Sequence, residues 1–460
     1  MPAKEKISWY LRAFLHSPAR LSISAFAILI LTGTFLLMLP AAAPQQHLGF
    51  VNALFTATSA GCVTGLVVAD TGTRLSLFGQ LIVLALIQVG GLGIMTFSTL
   101  LLLMAGRRPG LTGRLVVRDT FTHSGEQNFS TILKDVIIFT AAMEGLGAAV
   151  LFFRFLPGNS AGTALYLSIF HSISAFCNAG FSLFSDSFIR FREDWILNLT
   201  ICFLIICGGI GFLVIAELRR KFPYNRKRWD RLSLHSRIVL STTILLLVCG
   251  SLSILLMEWH NTLTPLDPLS RLLSAFFQSV SARTAGFNTL QIEAMANGTL
   301  FLIILLMFVG ACPGSCAGGI KTTTLAALAL LGVSRLRGKK QTQVFHRTIP
   351  EESISKAVSV LLISMLVVAA GTMALLLTEL GDTPQPFSRG QFLELLFEVV
   401  SAFGTVGLSA GVTSGLSTLG RLIITAVMFI GRLGPLVIVV AISRQQASRF
   451  YYAEENIIIG

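Results

Sequence analysis

Apolar residues fall along this chain in eight runs long enough to cross a bilayer, with shorter half-apolar runs between them. The long runs are Leu21–Leu39, Leu81–Ala105, Ile132–Phe153, Trp195–Ala216, Ile238–Met257, an interrupted Leu300–Leu331, Ile354–Leu377 and Leu422–Ile442. Each is close to the roughly 20 residues that a spanning helix needs. After every odd-numbered span comes a stretch of apolar, small and hydroxylic residues: Asn52–Leu66, Phe170–Phe181, Phe276–Phe287 and Leu396–Leu408. At roughly 10–14 apolar-leaning residues these are too short to cross and read as re-entrant. Each ends in glycine followed by Leu or Phe, at Gly65, Gly180, Gly286 and Gly407. The order span, re-entrant loop, span therefore recurs four times, and periodic self-similarity of this kind sets an architecture.

The second span of each repeat carries a matching weak point. Gly90-Gly91-Leu92-Gly93 recurs as Gly208-Gly209-Ile210-Gly211, as Gly318-Gly319-Ile320-Lys321 and as Gly431-Arg432-Leu433-Gly434. In the third copy the preceding helix has gained Gly310-Ala311-Cys312-Pro313-Gly314-Ser315-Cys316-Ala317. Pro313 lacks an amide hydrogen and clashes with the preceding turn, and each glycine costs roughly 1 kcal/mol against Ala in a helix. Backbone freed at membrane depth is tolerated where it is buried in protein or lines a water-filled cavity. A broken helix lying across a pathway follows.

Composition agrees. The chain is 53% hydrophobic and 12% charged, against roughly 25% charged for soluble domains. The seven cysteines show no paired zinc spacing and no disulfide framework. The net charge of +13 suggests nucleic acid until its distribution is read. Basic residues cluster on the N-terminal arm (Lys4, Lys6, Arg12, Arg20) and in alternate connectors, around Arg107–Arg118, Arg219–Arg231 and Arg335–Arg347. The intervening connectors, such as Glu258–Asp267 and Glu379–Asp382, carry acids instead. By the positive-inside rule both termini are cytoplasmic, with the basic connectors facing anionic lipid and partly a cytosolic partner.

Four loops that dip from one side and end in glycine can surround an axis. Their last turns present the carbonyls of Cys62, Val63 and Thr64, of Cys177, Asn178 and Ala179, of Arg283, Thr284 and Ala285, and of Gly404, Thr405 and Val406. Inward carbonyls replace a cation's hydration shell, and short helices aim negative C-terminal ends at the centre. With no carboxylate ring at the equivalent positions, the permeant species reads as a monovalent cation. For any one such loop, helix packing is the plainer reading; four in register favour the pathway. Arg283 is odd in a cation pore, and its guanidinium is expected to point away and brace its own loop.

These residues resemble the Trk/Ktr/HKT superfamily of potassium transporters over essentially the whole chain. The resemblance is carried by the four loops, by Gly314-Ser315-Cys316-Ala317-Gly318-Gly319-Ile320-Lys321-Thr322 and by Gly431-Arg432-Leu433-Gly434. Having no extra helix pair before the first repeat, it looks more like the KtrB-type membrane subunit than the TrkH type. The resemblance implies an all-α membrane protein with four repeats (21–106, 132–218, 237–333 and 354–443) around a pseudo-fourfold pore. Between them lie connectors 107–131, 219–236 and 334–353, flanked by an arm, 1–20, and a tail, 444–460. It implies potassium-selecting glycines, a gate at 310–320 beneath them with Arg432 nearby, and uptake into the cell with sodium as a coupled ion in some members. It further implies a homodimer on a cytosolic ring of RCK (KtrA/TrkA-like) subunits that bind nucleotide, with no cofactor in this chain. Cys316 and Ala317 depart from the family's common Gly-Ser-Thr-Gly-Gly-Gly, which bears on gate kinetics.

Arg432 within a span calls for an interior partner: either it places positive charge near the pore as a barrier, or it binds loop carbonyls. Lys321 lies at the inner mouth or snorkels to the cytoplasm. The run Gly314–Thr322 fails as a P-loop, because Ile320 stands where lysine is needed. His171 reads as the start of one short helix and Glu398 lies within another. Asp70, Asp186, Glu293 and Glu398 read as a solvated rim or as cation-concentrating acids. An alternating-access carrier with a discontinuous helix is the other transport reading. A non-transporting scaffold leaves the repeated loops unexplained, and no nucleophile–base pair or metal cluster suggests an enzyme.

Overall fold

The apolar runs fold as helices, several of them started by hydroxyl or carboxylate caps, and their breaks fall at glycine and proline. A computed structural model describes residues 18–45, 47–93, 129–220, 229 and 232–434. The first unit comprises α1 (Pro18–Met38), α2 (Phe50–Gly61) and α3 (Leu77–Gly91); the second, α4 (Phe129–Phe155), α5 (Ala161–Phe176), α6 (Trp195–Ile210) and α7 (Phe212–Arg220). The third holds α8 (Leu234–Glu258), α9 (Pro268–Ala282), α10 (Asn297–Phe308) and α11 (Thr322–Leu336). After a hairpin of β1 (Gln343–Val344) and β2 (Arg347–Thr348) come α12 (Glu351–Leu375), α13 (Gln391–Gly404) and α14 (Thr418–Leu433). The hairpin, inside the 334–353 connector, has too few alternating residues to announce itself in sequence.

Caps account for several of the starts. Ser76 accepts from Gly79 N at 3.2 Å, Asp194 from Leu197 N at 3.1 Å and Ser417 from Gly420 N at 3.1 Å. Asp267 accepts from Leu269 N and Ser270 N, with Pro268 at the first helical position. The expected spans Leu81–Ala105 and Leu422–Ile442 are described only to Gly93 and Gly434; the 107–131 connector below Phe129, the arm before Pro18, the tail and most of the basic 219–236 connector lie outside the described residues. Trp195–Ala216 is corrected: it is two helices, because Gly211 takes a left-handed φ of 90° between them.

Among the described residues, the helical stretches 134–158, 234–258 and 351–380 are long and apolar enough to span a membrane by themselves. Their apolar side chains stay exposed on one face, as at Leu256 and Leu366, which suits a lipid surroundings rather than water. The short helices α2, α5, α9 and α13 form the centre instead. At one end of each unit its first and third helices are tied together. Ser76 N donates to Ala42 O at 2.9 Å, Arg154 pairs with Asp194, Glu258 accepts from Ala296 N at 3.0 Å, and Glu379 from Ser417 N at 3.1 Å.

Candidate functional site

Each short helix buries the same two anchors one turn apart: Phe55 and Ser59, Phe170 and Ser174, Phe277 and Ser281, Phe397 and Ser401, all fully buried. The serine organises the loop that follows. Ser59 Oγ donates to Leu66 O at 2.7 Å and accepts from Gly65 N at 3.1 Å. Ser174 Oγ donates to Phe181 O at 2.7 Å, Ser281 Oγ donates to Phe287 O, and Ser401 Oγ accepts from Gly407 N at 3.1 Å. The serine carbonyls accept from the amides of Thr64, Ala179, Ala285 and Val406 at 2.7–2.9 Å. The third loop is one residue shorter between its serine and its glycine than the other three. The recurring Phe-x-x-x-Ser was visible in the sequence, and the sequence reading passed over it.

Cys62, Cys177 and Arg283 cap α2, α5 and α9, whereas Gly404 is the last residue of α13. Two residues before each glycine the backbone is left-handed: Val63 (φ 56°), Asn178 (61°), Thr284 (80°) and Thr405 (49°). The glycines are left-handed too, at 95°, 69°, 77° and 93°, with a residue of ordinary φ between. Non-glycine residues rarely take this conformation, and they hold it only where surroundings over-determine it. Alternating the hand over three residues turns successive peptide groups toward the same side of the loop.

The four loops close on one another. A Cβ on Gly65 would lie 2.5 Å from Ala179 O, and one on Gly180 2.9 Å from Ala285 O. One on Gly286 would overlap Val406 O, and one on Gly407 would overlap Thr64 O. Each glycine thus packs against a main-chain oxygen of the next loop, in the cyclic order 65, 180, 286, 407. The Thr64 and Thr284 hydroxyls are buried with no hydrogen-bond partner, so polar oxygen is left over at this ring.

Beside the ring, α10 stops at Phe308 and α11 starts at Thr322. The loop between is pinched at its neck by a bridge of Val309 with Ile320 and by Thr322 N donating to Ala311 O at 3.2 Å. Gly310 packs on Gly318 O, and Gly314 and Gly319 are left-handed. Second-unit backbone holds the loop: Cys312 N donates to Gly209 O at 3.0 Å, Cys316 N to Gly208 O at 3.3 Å, and Phe212 N to Gly314 O at 3.3 Å. Pro313 O sits against Gly211. Gly318 N donates to Thr405 Oγ1 at 3.0 Å, joining this loop to the ring. Within the loop, Ser315 Oγ donates to Cys312 O at 2.6 Å and Lys321 Nζ to Ala317 O at 2.6 Å.

The repeated glycine motif is a packing site more than a weak point. Gly90, Gly208 and Gly431 lie in continuous helix against the carbonyls of Gly61, Phe176 and Phe403, where a Cβ would overlap. Only at Gly211, among the described residues of the first, second and fourth copies, does a second helix segment follow the break. Arg432 donates to Cys316 O and to Gly90 O and lies over the Phe26 ring, the carbonyl-binding arrangement of the two considered. Arg283 does not brace its own loop: its side chain reaches Cys312, and its Nε is buried without a partner. His171 is also corrected. It lies in the second half of α5, stacked on Phe184 at 4.8 Å, with Nδ1 against Leu167 O and Nε2 against Ser182 Oγ.

Of the rim acids, Glu398 is fully buried and accepts from Ser409 Oγ, Ala410 N and Thr413 Oγ1, which makes it a loop brace rather than a solvated charge. Glu293 packs against Gly411, Asp70 caps the turn at Thr73, and Asp186 pairs with Arg190 at 2.7 Å. One carboxylate was missed. Glu144, midway along α4, accepts from Gln88 Nε2 at 3.1 Å and lies 3.8 Å from Cys177 Sγ. An acid inside an apolar run is itself the signal that should have found it.

The four loops thus meet in one closed ring in which each glycine faces a main-chain oxygen of its neighbour. Residues 10–452 match the TrkH family model, described as a cation transport protein. The chain is 38% identical to the Ktr system potassium uptake protein B of Bacillus subtilis, covering 99% of each, and 37% identical to that of Vibrio alginolyticus, covering 96% of this chain and 94% of that one. It is 34% identical to the potassium/sodium uptake protein NtpJ of Enterococcus hirae, covering 96% of this chain and 97% of that one. The crystal structure of the potassium transporter TrkH from Vibrio parahaemolyticus superposes with a TM-score of 0.73 at 18% identity, over 92% of this chain and 83% of that one, which shows a shared fold. With the family model spanning nearly its full length, this chain belongs to the TrkH family of cation transport proteins, membrane transporters rather than enzymes.

Proposed function

We propose that this chain is the membrane subunit of a potassium uptake system, passing potassium through a pseudo-fourfold pore built from four span, loop, span repeats. The observation that carries the reading is the cyclic packing of Gly65, Gly180, Gly286 and Gly407 against the oxygens of neighbouring loops. Those oxygens replace water around the ion, and α2, α5, α9 and α13 direct their C-terminal dipoles toward it. The Bacillus and Vibrio relatives are potassium uptake proteins, which favours potassium, and the Enterococcus relative is a potassium/sodium uptake protein, which favours a role for sodium. The loop at 309–321 is the gate below the ring, with Arg432 as its latch on the first unit. The charge alternation of the connectors favours both termini on the cytoplasmic side of the cell membrane. A second copy of this chain and a cytosolic nucleotide-binding ring complete the assembly, in keeping with the word "system" in the relatives' names.

The broken helix also suits an alternating-access carrier; four loops meeting in one ring favour the pore. Reconstituted protein is tested for uptake of potassium, rubidium and sodium, with and without the cytosolic partner. Potassium and rubidium uptake well above sodium supports the pore. Equal permeation of all three, or none, sinks it.

A further inference from the structure

The connector between the third and fourth units folds back on itself and leaves a cleft that the proposed pathway does not use. The end of α11 and the start of α12 pack together, with the hairpin turning the chain between them. The cleft among these three elements measures about 580 Å³, within the roughly 300–1,000 Å³ usual for a small-molecule site. Its floor is apolar: Ile349 is buried, and Leu331 and Ile354 are half-buried. Arg335 and Lys340 also line it, both exposed. Arg335 Nη1 donates to the carbonyls of Lys339 and Lys340 at 3.4 and 3.0 Å, which fixes the guanidinium at the cleft. The Lys340 ammonium has no partner among the described residues. α12 meets the same cleft with its N-terminus, where Pro350 precedes the helix and no side chain caps the amides of the first turn. The positive end of a 25-residue helix is thereby added to two cations. Glu351 is the one acid among the lining residues, while Glu352 lies outside them, paired with Lys356 at 2.8 Å.

We propose that this cleft is a site for one anionic glycerophospholipid, its phosphate held by Arg335, Lys340 and the start of α12, its acyl chains leaving over Leu331, Ile349 and Ile354. Two chemistries meeting in one place select that occupant. A free phosphate leaves the apolar floor unused, and a zwitterionic lipid matches the floor but offers the two cations no net charge. The level of the cleft agrees. The helical stretch 351–380 is long and apolar enough to span a membrane, and Leu362, Met365 and Leu366 are exposed along it. The cleft therefore opens where that span begins, which is the depth of the headgroups. Such a site goes beyond the general attraction of basic connectors for a charged leaflet, because it takes one lipid and depends on particular charges. It ties the third unit to the fourth and stands independently of the pore reading.

Full-length protein in detergent is titrated with dioleoylphosphatidylglycerol, with dioleoylphosphatidylcholine and with glycerol phosphate, and retained lipid is counted by native mass spectrometry. The expected result is one phosphatidylglycerol per chain held more tightly than phosphatidylcholine and not displaced by an equal concentration of glycerol phosphate. Lys340→Gln should weaken that binding about fivefold, the effect of one cation beside an anionic headgroup, and Glu351→Gln should strengthen it. Arg337→Gln removes the same charge from the end of α11 but outside the cleft, and should leave the binding unchanged. Because the Lys340 ammonium holds nothing else in the chain, its replacement removes no contact of the fold, and unchanged binding in Lys340→Gln overturns the site. Equal weakening by Lys340→Gln and Arg337→Gln overturns it in favour of diffuse attraction. Phosphatidylcholine held as tightly, or glycerol phosphate competing as well as the lipid, overturns the anionic lipid as its occupant.

Discussion

A side chain at Gly286 meets two obstacles together, a left-handed φ of 77° and the Val406 carbonyl. Backbone strain of this kind is worth about 1–3 kcal/mol, enough to push a ring oxygen off its position. Gly286→Ser should therefore lower potassium preference over sodium by about tenfold, since that factor is only about 1.4 kcal/mol; competitive uptake measures it, and an unchanged ratio would contradict the ring's role. Glu398 is different in kind. It gathers three donors of the loop after Gly407, and truncating it strands them in a buried place at about 1–3 kcal/mol each. Glu398→Ala should lower the thermal stability of the detergent-solubilised protein markedly, whereas Arg190→Ala, at an exposed ion pair, should shift it by less than about 1 kcal/mol.

Among the elements, the 309–321 loop and Arg432 form one unit. Hydrogen bonds from a charged donor contribute about 1.5–3 kcal/mol, so Arg432→Ala should loosen the loop and raise rubidium uptake several-fold, as should deleting part of 312–318. Lower or unchanged uptake in inserted protein would tell against the gate. Here too lies the boundary of what sequence discloses. Pro313 and its flanking glycines announced the break between α10 and α11, because both effects are local to the backbone. Helix identity was equally plain from apolar run length. The left-handed Val63, Thr284 and Thr405 were not, since β-branched side chains tolerate that region poorly and only neighbouring loops hold them there. The role of Gly90, Gly208 and Gly431 was misread for a related reason: a glycine that admits a distant carbonyl looks, along the chain, the same as one that breaks a helix.

Across the whole molecule, the end that carries the hairpin has its own interlock. The hairpin turn is made by Phe345 and His346, both left-handed, and the Phe345 ring stands 6.5 Å from Trp229 and 6.0 Å from the Arg237 guanidinium. Glu217 on α7 accepts from Ser233 N at 2.9 Å at the start of α8, so hairpin, α7 and α8 are joined, and α7 begins right at the Gly211 break beside Pro313. Phe345→Ala should cost roughly 1 kcal/mol of stability, the worth of such an aromatic contact, without altering uptake measured in the absence of a cytosolic partner. The ring, finally, is closed by Gly407 against Thr64, residues from opposite ends of the chain. A nascent polypeptide halted after its third unit would hold an open crescent with a bare carbonyl facing lipid or water. On the pore reading proposed above, ion passage is therefore acquired in one step, when the fourth unit brings Gly407 against Thr64.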